Sequence, residues 1–129
     1  MANVVFKKCS LFLKTLRTHP EAQKPLNQFI QHKSVSPTEP FGGKDYPYTA
    51  GALKGILHSK LGKDLRILYT ISGKETKVIY LIGVFTHAET GTEMGNPSVS
   101  QQNRVATQIA NQNFESKKLF GWLLIESNE

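Results

Sequence analysis

Cysteine is nearly absent from this sequence: Cys9 is the only one in 129 residues. The chain therefore cannot form an intramolecular disulfide, which is typical of proteins of the reducing cytoplasm. One cysteine and four scattered histidines offer no spacing suited to a zinc site. Glycine-rich phosphate loops of the standard patterns are also lacking. We therefore expect neither a metal ion nor a cofactor.

Long apolar runs are missing as well. No segment approaches the roughly 20 apolar residues that a membrane span needs, and the N-terminal run Leu11-Phe12-Leu13 is too short for a signal peptide. Internal repeats and low-complexity tracts are absent too. The length suits one domain with its own hydrophobic core. We expect a soluble, cytoplasmic protein that does not contact a membrane.

Basic side chains outnumber acidic ones, giving a formal net charge of +6 and an isoelectric point near 9.5. Such a charge favours polyanionic partners, although it does not choose between nucleic acid, an anionic membrane and an acidic protein. The excess is concentrated in residues 51–80, which hold six basic side chains and two acidic ones. The six are Lys54, Lys60, Lys63, Arg66, Lys74 and Lys77.

Hydrophobic periodicity predicts a strand at 2–8 and a helix from Ser10. A second helix is predicted to begin in a capping box at 18–21 and to kink or restart at Pro25. Residues 34–52 contain three prolines and three glycines and are predicted to be irregular. In that stretch, Tyr46 and Tyr48 could stack on nucleobases or fasten the loop to the core.

Three strands are predicted next, at 54–61, 64–71 and 76–85. The short turn 72–75 makes the last two antiparallel neighbours, and the apolar character of 76–85 favours a central position. Ser98 with Gln101 indicates the start of a further helix. The apolar segment 119–125 could form an edge strand, dock on the core or enter a partner's groove.

Two histidines flank these strands beside a carboxylate and an arginine. Cleavage of RNA without a metal needs a base for the 2′-hydroxyl, an acid for the leaving 5′-oxygen, and positive charge on the phosphate. We assign the proton transfers to His58 and His87, and the orientation or charging of a histidine to Asp64, which could itself be the base if its pKa is raised. Arg66 would hold the scissile phosphate, aided by Lys60 or Lys63, with Lys54 as a further RNA contact. The alternative is structural: histidines bonded to backbone and Asp64 capping a turn.

The same residues carry a resemblance to the RelE/ParE superfamily of bacterial toxins, and most closely to its YafQ branch. Leu53-Lys-Gly55 leads into the first of the three strands, His58 is followed by Asp64 and by a strand containing Tyr69, and 83–88 read Gly-Val-Phe-Thr-His-Ala. The segment 65–69, Leu-Arg-Ile-Leu-Tyr, is similar to a strand of RelE proper whose arginine faces RNA. The sequence departs from the YafQ pattern in lacking a histidine before Leu53 and a phenylalanine after His87.

This resemblance implies an α+β fold: a strand and two helices, then a mainly antiparallel three-strand run in a twisted sheet of about four strands. It covers residues 1–92, and 93–129 would be a C-terminal extension, a helix and an apolar tail, packed on the same domain. The implied activity is a metal-independent endoribonuclease, or mRNA interferase, that acts on messenger RNA at the ribosome, with contacts to ribosomal RNA. The implied partner is a small acidic antitoxin. The alternatives are a ParE-like protein that poisons gyrase by binding, or a degenerate toxin that only binds.

Overall fold

The computed structural model describes residues 3–41, 45–48, 51–91, 97–111, 113–114, 117–120 and 123–124. Its main sheet has five strands, with β1 at Asn3–Lys8, β2 at Asp45–Pro47, β3 at Leu57–Leu61, β4 at Leu65–Ser72 and β5 at Thr76–Thr86. The helices are α1 at Ser10–Thr18, α2 at Gln23–Val35, α3 at His87–Thr90 and α4 at Val99–Ala110. Short strands β6 (Asn113–Phe114), β7 (Lys117–Phe120) and β8 (Leu123–Leu124) pair in a second, antiparallel sheet.

The strand order in the main sheet is β1-β5-β4-β3-β2. The β1 strand runs parallel to β5, while all the other neighbours are antiparallel. This arrangement confirms the predicted α+β class and the β4–β5 hairpin, and it makes β5 an interior strand between β1 and β4, while β4 is the middle strand. It adds one strand, β2, inside the stretch predicted to be irregular. The β2 strand has only three residues, too few to show an alternating pattern, and turn-forming residues flank it. Its pairing with β3 therefore decides its conformation.

The helix boundaries near the prolines differ from the prediction. The α1 helix ends at Thr18 because His19 precedes Pro20, which disfavours helical backbone at the residue before it. Pro20–Ala22 then form one 3₁₀ turn whose start has no side-chain cap, so the predicted capping box at 18–21 is wrong. Pro25 lies in the first turn of α2, where no intrahelical N–H bond is lost, and α2 continues to Val35.

The core lies where α2 packs on the β3–β4 side of the sheet. The rings of Phe29 and Tyr69 meet edge to face at 5.2 Å between centroids, and Phe41 closes on Phe29 at 5.6 Å. Lys33 is buried with them, since its Nζ donates to the carbonyl of Glu39 and lies above the Tyr69 ring. The α4 helix begins as predicted, with Ser98 Oγ accepting from the Gln101 N–H at 3.2 Å.

Val105 and Ile109 of α4 are buried in the same hydrophobic core as the sheet residues. The core therefore includes side chains from both sides of residue 92. The apolar segment 119–125 falls mostly outside the described residues, apart from the backbone of β7 and β8. None of the described helices is long and apolar enough to cross a membrane.

The β4–β5 turn requires glycine at position 73, which predicts a difference between two glycine-to-alanine variants. Gly73 has φ +96°, and a Cβ there would lie 2.0 Å from the Thr76 carbonyl oxygen. Gly62 has φ +87°, but a Cβ there meets nothing within 4 Å. We expect Gly62→Ala to cost about 1 kcal/mol of unfolding free energy and Gly73→Ala about 2 kcal/mol or more, by urea denaturation. Equal losses would mean that the close contact at Gly73 relaxes freely.

Candidate functional site

The register of the sheet groups several of the predicted site residues on one face. Lys60 of β3 pairs with Arg66 of β4, which pairs in turn with Phe85 of β5. Two residues along each strand, His58 pairs with Leu68, and Leu68 with Gly83. Directly opposed residues on neighbouring strands point to the same side, as do residues two apart in one strand. We call this side of β3, β4 and β5 the arginine face.

A bulge separates the arginine face from the rest of the β4–β5 pair. Leu68 pairs with Gly83 and Tyr69 with Leu81, so Ile82 has no partner on β4. Gly83 has no room for a side chain, because a Cβ there would lie 2.6 Å from the Phe85 ring. The bulge changes the local twist and lets Phe85 lie close over the backbone of Gly83.

Tyr48 is held against His58. The two rings are stacked, with centroids 4.1 Å apart and planes inclined by 17°. Tyr48 is fixed there by its backbone, which donates to the Ile56 carbonyl and accepts from the Gly55 N–H, each at 2.9 Å. Tyr48 also packs against the hydrophobic core, so it fastens its loop to the core, one of the two alternatives left by the sequence. The side chain of Tyr46 lies outside the described residues.

The guanidinium of Arg66 is a cation that is partly shielded from water. Its Nη1 is buried and has no hydrogen-bond partner among the described residues. Burial lowers the pKa of the Arg66 guanidinium, an effect opposed by the nearby Tyr48 hydroxyl and the Asp64 carboxylate. An unsatisfied buried N–H of a charged group is costly. An anion that binds to the Arg66 guanidinium would supply the missing hydrogen bond.

Asp64 and His87 lie together at one end of the β4–β5 pair. Leu65 pairs with Thr86, Asp64 immediately precedes the former, and His87 immediately follows the latter. Asp64 is exposed and His87 is half-buried. His87 follows the end of its strand as predicted, and it is also the first residue of α3, a helix that the sequence analysis missed.

A capping box fixes the start of α3. The Glu89 N–H donates to Thr86 Oγ1 at 3.1 Å, and the Thr86 N–H donates to Glu89 Oε1 at 2.8 Å. At the other end, Gly91 closes the helix with φ +67°. The signal was readable in the sequence as threonine followed three residues later by glutamate. The capping box holds the backbone of His87 in one conformation.

The two histidines stand at opposite sides of Arg66. His58 is opposite Leu68, and His87 continues β5 past Thr86, so they are two strands and four residue steps apart. With strands about 4.8 Å apart and about 3.3 Å per residue, their Cα atoms are about 16 Å apart. Arg66 lies midway along this diagonal. The register therefore places the whole of β4 between His58 and His87.

The predicted lysines surround this group. Lys60 is exposed in the row that contains Arg66, and Lys63 is exposed in the turn beside Asp64. Lys54 is exposed in the turn that ends at Gly55, next to the backbone of Tyr48. Within the described part of the chain, no three His, Cys, Asp or Glu side chains are grouped so that they could hold a metal ion. The predicted site residues offer cations, two imidazoles and one carboxylate.

Together, the fold and the arginine face define a small α+β protein with a cationic, histidine-flanked sheet surface. In fold it is similar to a YoeB/ParE toxin from Agrobacterium tumefaciens, with 18% sequence identity and a TM-score of 0.49 over 66% of this chain and 98% of that chain. No protein-family model matches the sequence, and no curated protein matches it either.

Because the Arg66 guanidinium is not fully hydrogen-bonded, we expect Arg66→Met to weaken anion binding without lowering stability. Replacing a poorly solvated cation by an apolar chain of similar length should leave the free energy of unfolding within about 1 kcal/mol of wild type, or raise it. Inorganic phosphate, which stabilises the wild type by binding the folded state, should stabilise the variant much less. Urea denaturation with and without phosphate measures both quantities. Arg17→Met, on an exposed position of α1, is the control. Equal phosphate protection in Arg66→Met and wild type would contradict the assignment.

Proposed function

We propose that this protein is the toxin of a type II toxin–antitoxin system and that it cleaves messenger RNA on the ribosome without a metal ion. The observation that carries the proposal is Arg66, a cation with a buried, unsatisfied Nη1 on a basic sheet face, with His58 on one side and His87 on the other. A phosphodiester supplies the anion that this arginine lacks. Its ribose 2′-hydroxyl gives up a proton and its leaving 5′-oxygen takes one up, and histidines perform both transfers near neutral pH.

In the proposed reaction, the 2′-oxygen of one nucleotide attacks the adjoining phosphorus. A base removes the 2′-proton, the bond to the 5′-oxygen breaks, and an acid returns a proton to that oxygen. The products are a 2′,3′-cyclic phosphate and a 5′-hydroxyl. Negative charge builds on the phosphate oxygens, where Arg66 and Lys60 stabilise it. No oxidant, reductant or metal is needed for this balance.

The two proton transfers belong to His58 and His87 in this proposal. Their separation on either side of Arg66 suits attack and departure from opposite sides of one phosphate, provided that both imidazoles reach inward to it. Asp64 precedes Leu65 and His87 follows Thr86, the pair that ends the β4–β5 ladder, so Asp64 is assigned to orient His87 or to favour its charged form. Lys63 and Lys54 are assigned to neighbouring phosphates of the RNA or to ribosomal RNA. The site of action would be the cytoplasm.

A binding protein of the same fold is the second candidate. Tyr48 covers one side of the His58 ring, which makes this histidine less accessible than proton transfer requires. In that case the cationic face would bind its target without chemistry, as a ParE-like gyrase poison or a degenerate toxin would. Either reading retains a small acidic antitoxin, whose carboxylates would cover the arginine face.

His87→Ala is predicted to abolish most cleavage without unfolding the protein. A positioned acid or base contributes about 10²- to 10⁴-fold to the rate, whereas the capping box of α3 uses the side chains of residues 86 and 89 and survives the substitution. Wild type and variant are induced in cells, and messenger RNA ends are mapped by primer extension. New ends in phase with codons should appear with the wild type and be strongly reduced with the variant.

His32→Ala is the matched control, because His32 lies on α2 outside the candidate site, where it contacts the Glu39 carbonyl and the ring of Phe41. It should cleave like the wild type. Undiminished cleavage by His87→Ala would remove His87 from the mechanism. Growth arrest without new RNA ends, in wild type and variant alike, would contradict the nuclease proposal and favour the binding protein.

A further inference from the structure

A pocket separate from the arginine face lies between α1, α3 and α4, with β5 at its base. Its volume is about 190 Å³. It is lined partly by residues of α4, in the C-terminal part of the chain. Its polar lining side chains include Lys14, His19, Glu89, Gln101 and Arg104.

The base and the rim of this pocket differ in chemistry. Leu11, Phe85 and Val105 form an apolar base and are each at most 5% exposed. Lys14 and Arg104 are exposed cations on facing helices, and the amide of Gln101 lies between base and rim in exposure. An apolar base beneath a few polar groups is the usual composition of a pocket that takes an organic ligand. A simple anion would not need the apolar base.

Glu89 and His19 complete the wall of the pocket. His19 Nε2 lies 3.1 Å from Glu89 Oε1, the same oxygen that accepts from the Thr86 N–H. Both contacts fall on Oε1, so among the described residues Oε2 remains as an acceptor. The wall thus offers an acceptor at Glu89 and both a donor and an acceptor at Gln101. Such a set can read the edge of a nucleobase.

Size and position narrow the ligand further. The volume is below the range of about 300–1,000 Å³ that is common for complete small-molecule sites, so the pocket has room for one ring system only. Phe85, at its base, pairs with Arg66 on the neighbouring strand and points to the same face. Their Cβ atoms are therefore about 5 Å apart. A chain bound at Arg66 passes directly beside the pocket.

We propose that this pocket is a nucleotide subsite that takes one unstacked base of single-stranded RNA, with the adjoining phosphates held by Lys14 and Arg104. This inference rests on the proposed function, because it assumes that RNA occupies the arginine face. The base lies over the apolar floor and beside the guanidinium plane of Arg104, which stacks on bases. Gln101 and Glu89 bind its edge and make the subsite selective.

The test uses the purified full chain and a single-stranded 2′-O-methyl oligonucleotide, which cannot be cleaved by attack of its own 2′-oxygen. Binding is followed by fluorescence anisotropy for oligonucleotides that carry one abasic position at each place in turn. One abasic position should weaken binding to the wild type about tenfold, the effect of one stacked base. The same abasic position should cost little further in Gln101→Ala, since the base and the amide act together.

Arg104→Ala should weaken binding by a similar factor and lower the salt dependence by about one phosphate contact. Arg17→Ala removes the same charge from an exposed position on α1 that does not line the pocket, and it should weaken binding less and leave the abasic effect intact. An abasic penalty that is equal in Gln101→Ala and wild type would overturn the subsite.

The remaining outcomes separate this inference from the proposed function. Failure of the wild type to bind any of the oligonucleotides, while it still cuts messenger RNA in cells, would overturn the subsite and leave the nuclease standing. Absence of both binding and cutting would overturn both. In another outcome, a glutamate-rich peptide displaces the oligonucleotide from the wild type but not from Arg104→Ala, while the abasic profile is the same in both proteins. That result would overturn the subsite and assign the pocket to an acidic protein.

Discussion

The pairing of β4 with β5 is the constraint on which the site depends. Its register joins Leu65 to Thr86 and Arg66 to Phe85, and thereby brings Asp64 and His87 to one end of the sheet. The turn at Gly73 starts that register and the bulge at Ile82 adjusts it. Because side chains alternate between the two faces of a strand, a slip of one residue would move Arg66 to the opposite face. The register of the β4–β5 hairpin therefore determines the relative positions of the site residues.

Electrostatics and stability oppose each other on the arginine face. The core around it is apolar and well covered, with Leu68 fully buried beside Arg66 in β4. A guanidinium placed there loses hydration and gains only partial compensation from Tyr48 and Asp64. A residue kept at such a cost is typical of a binding or catalytic position, where the missing interaction is made by the ligand. The same reasoning does not apply to Lys60 or Lys63, which are exposed.

The C-terminal helix is part of this molecule's core as well as of its surface. Val105 and Ile109 bury the apolar stripe of α4, and Gln102 donates to the Gly91 carbonyl that closes α3. This packing brings Arg104 and Gln101 beside Lys14 of α1, at a sequence distance of about 90 residues. The surface next to the arginine face is consequently shared by both ends of the described chain.

Local sequence signals were sufficient for the β4–β5 hairpin and for the start of α4. Alternation along 64–71 and the glycine in the turn at 72–75 predicted the hairpin, and Ser98 with Gln101 predicted the start of α4, because each signal acts within a few residues. The predictions failed where neighbours in sequence compete: His19-Pro20 ended a helix that a capping-box pattern was expected to begin, and β2 exists only through its pairing with β3.

The sequence by itself determined the class of fold, the basic character of residues 51–80 and the candidates His58, Asp64, Arg66 and His87. Only the tertiary structure decided that Tyr48 stacks on His58, that Arg66 lies between the two histidines, and that His19 meets Glu89. The reason is physical. Composition and periodicity act through the local backbone, whereas these contacts depend on strand register and helix packing, which are set by side chains distant in the chain.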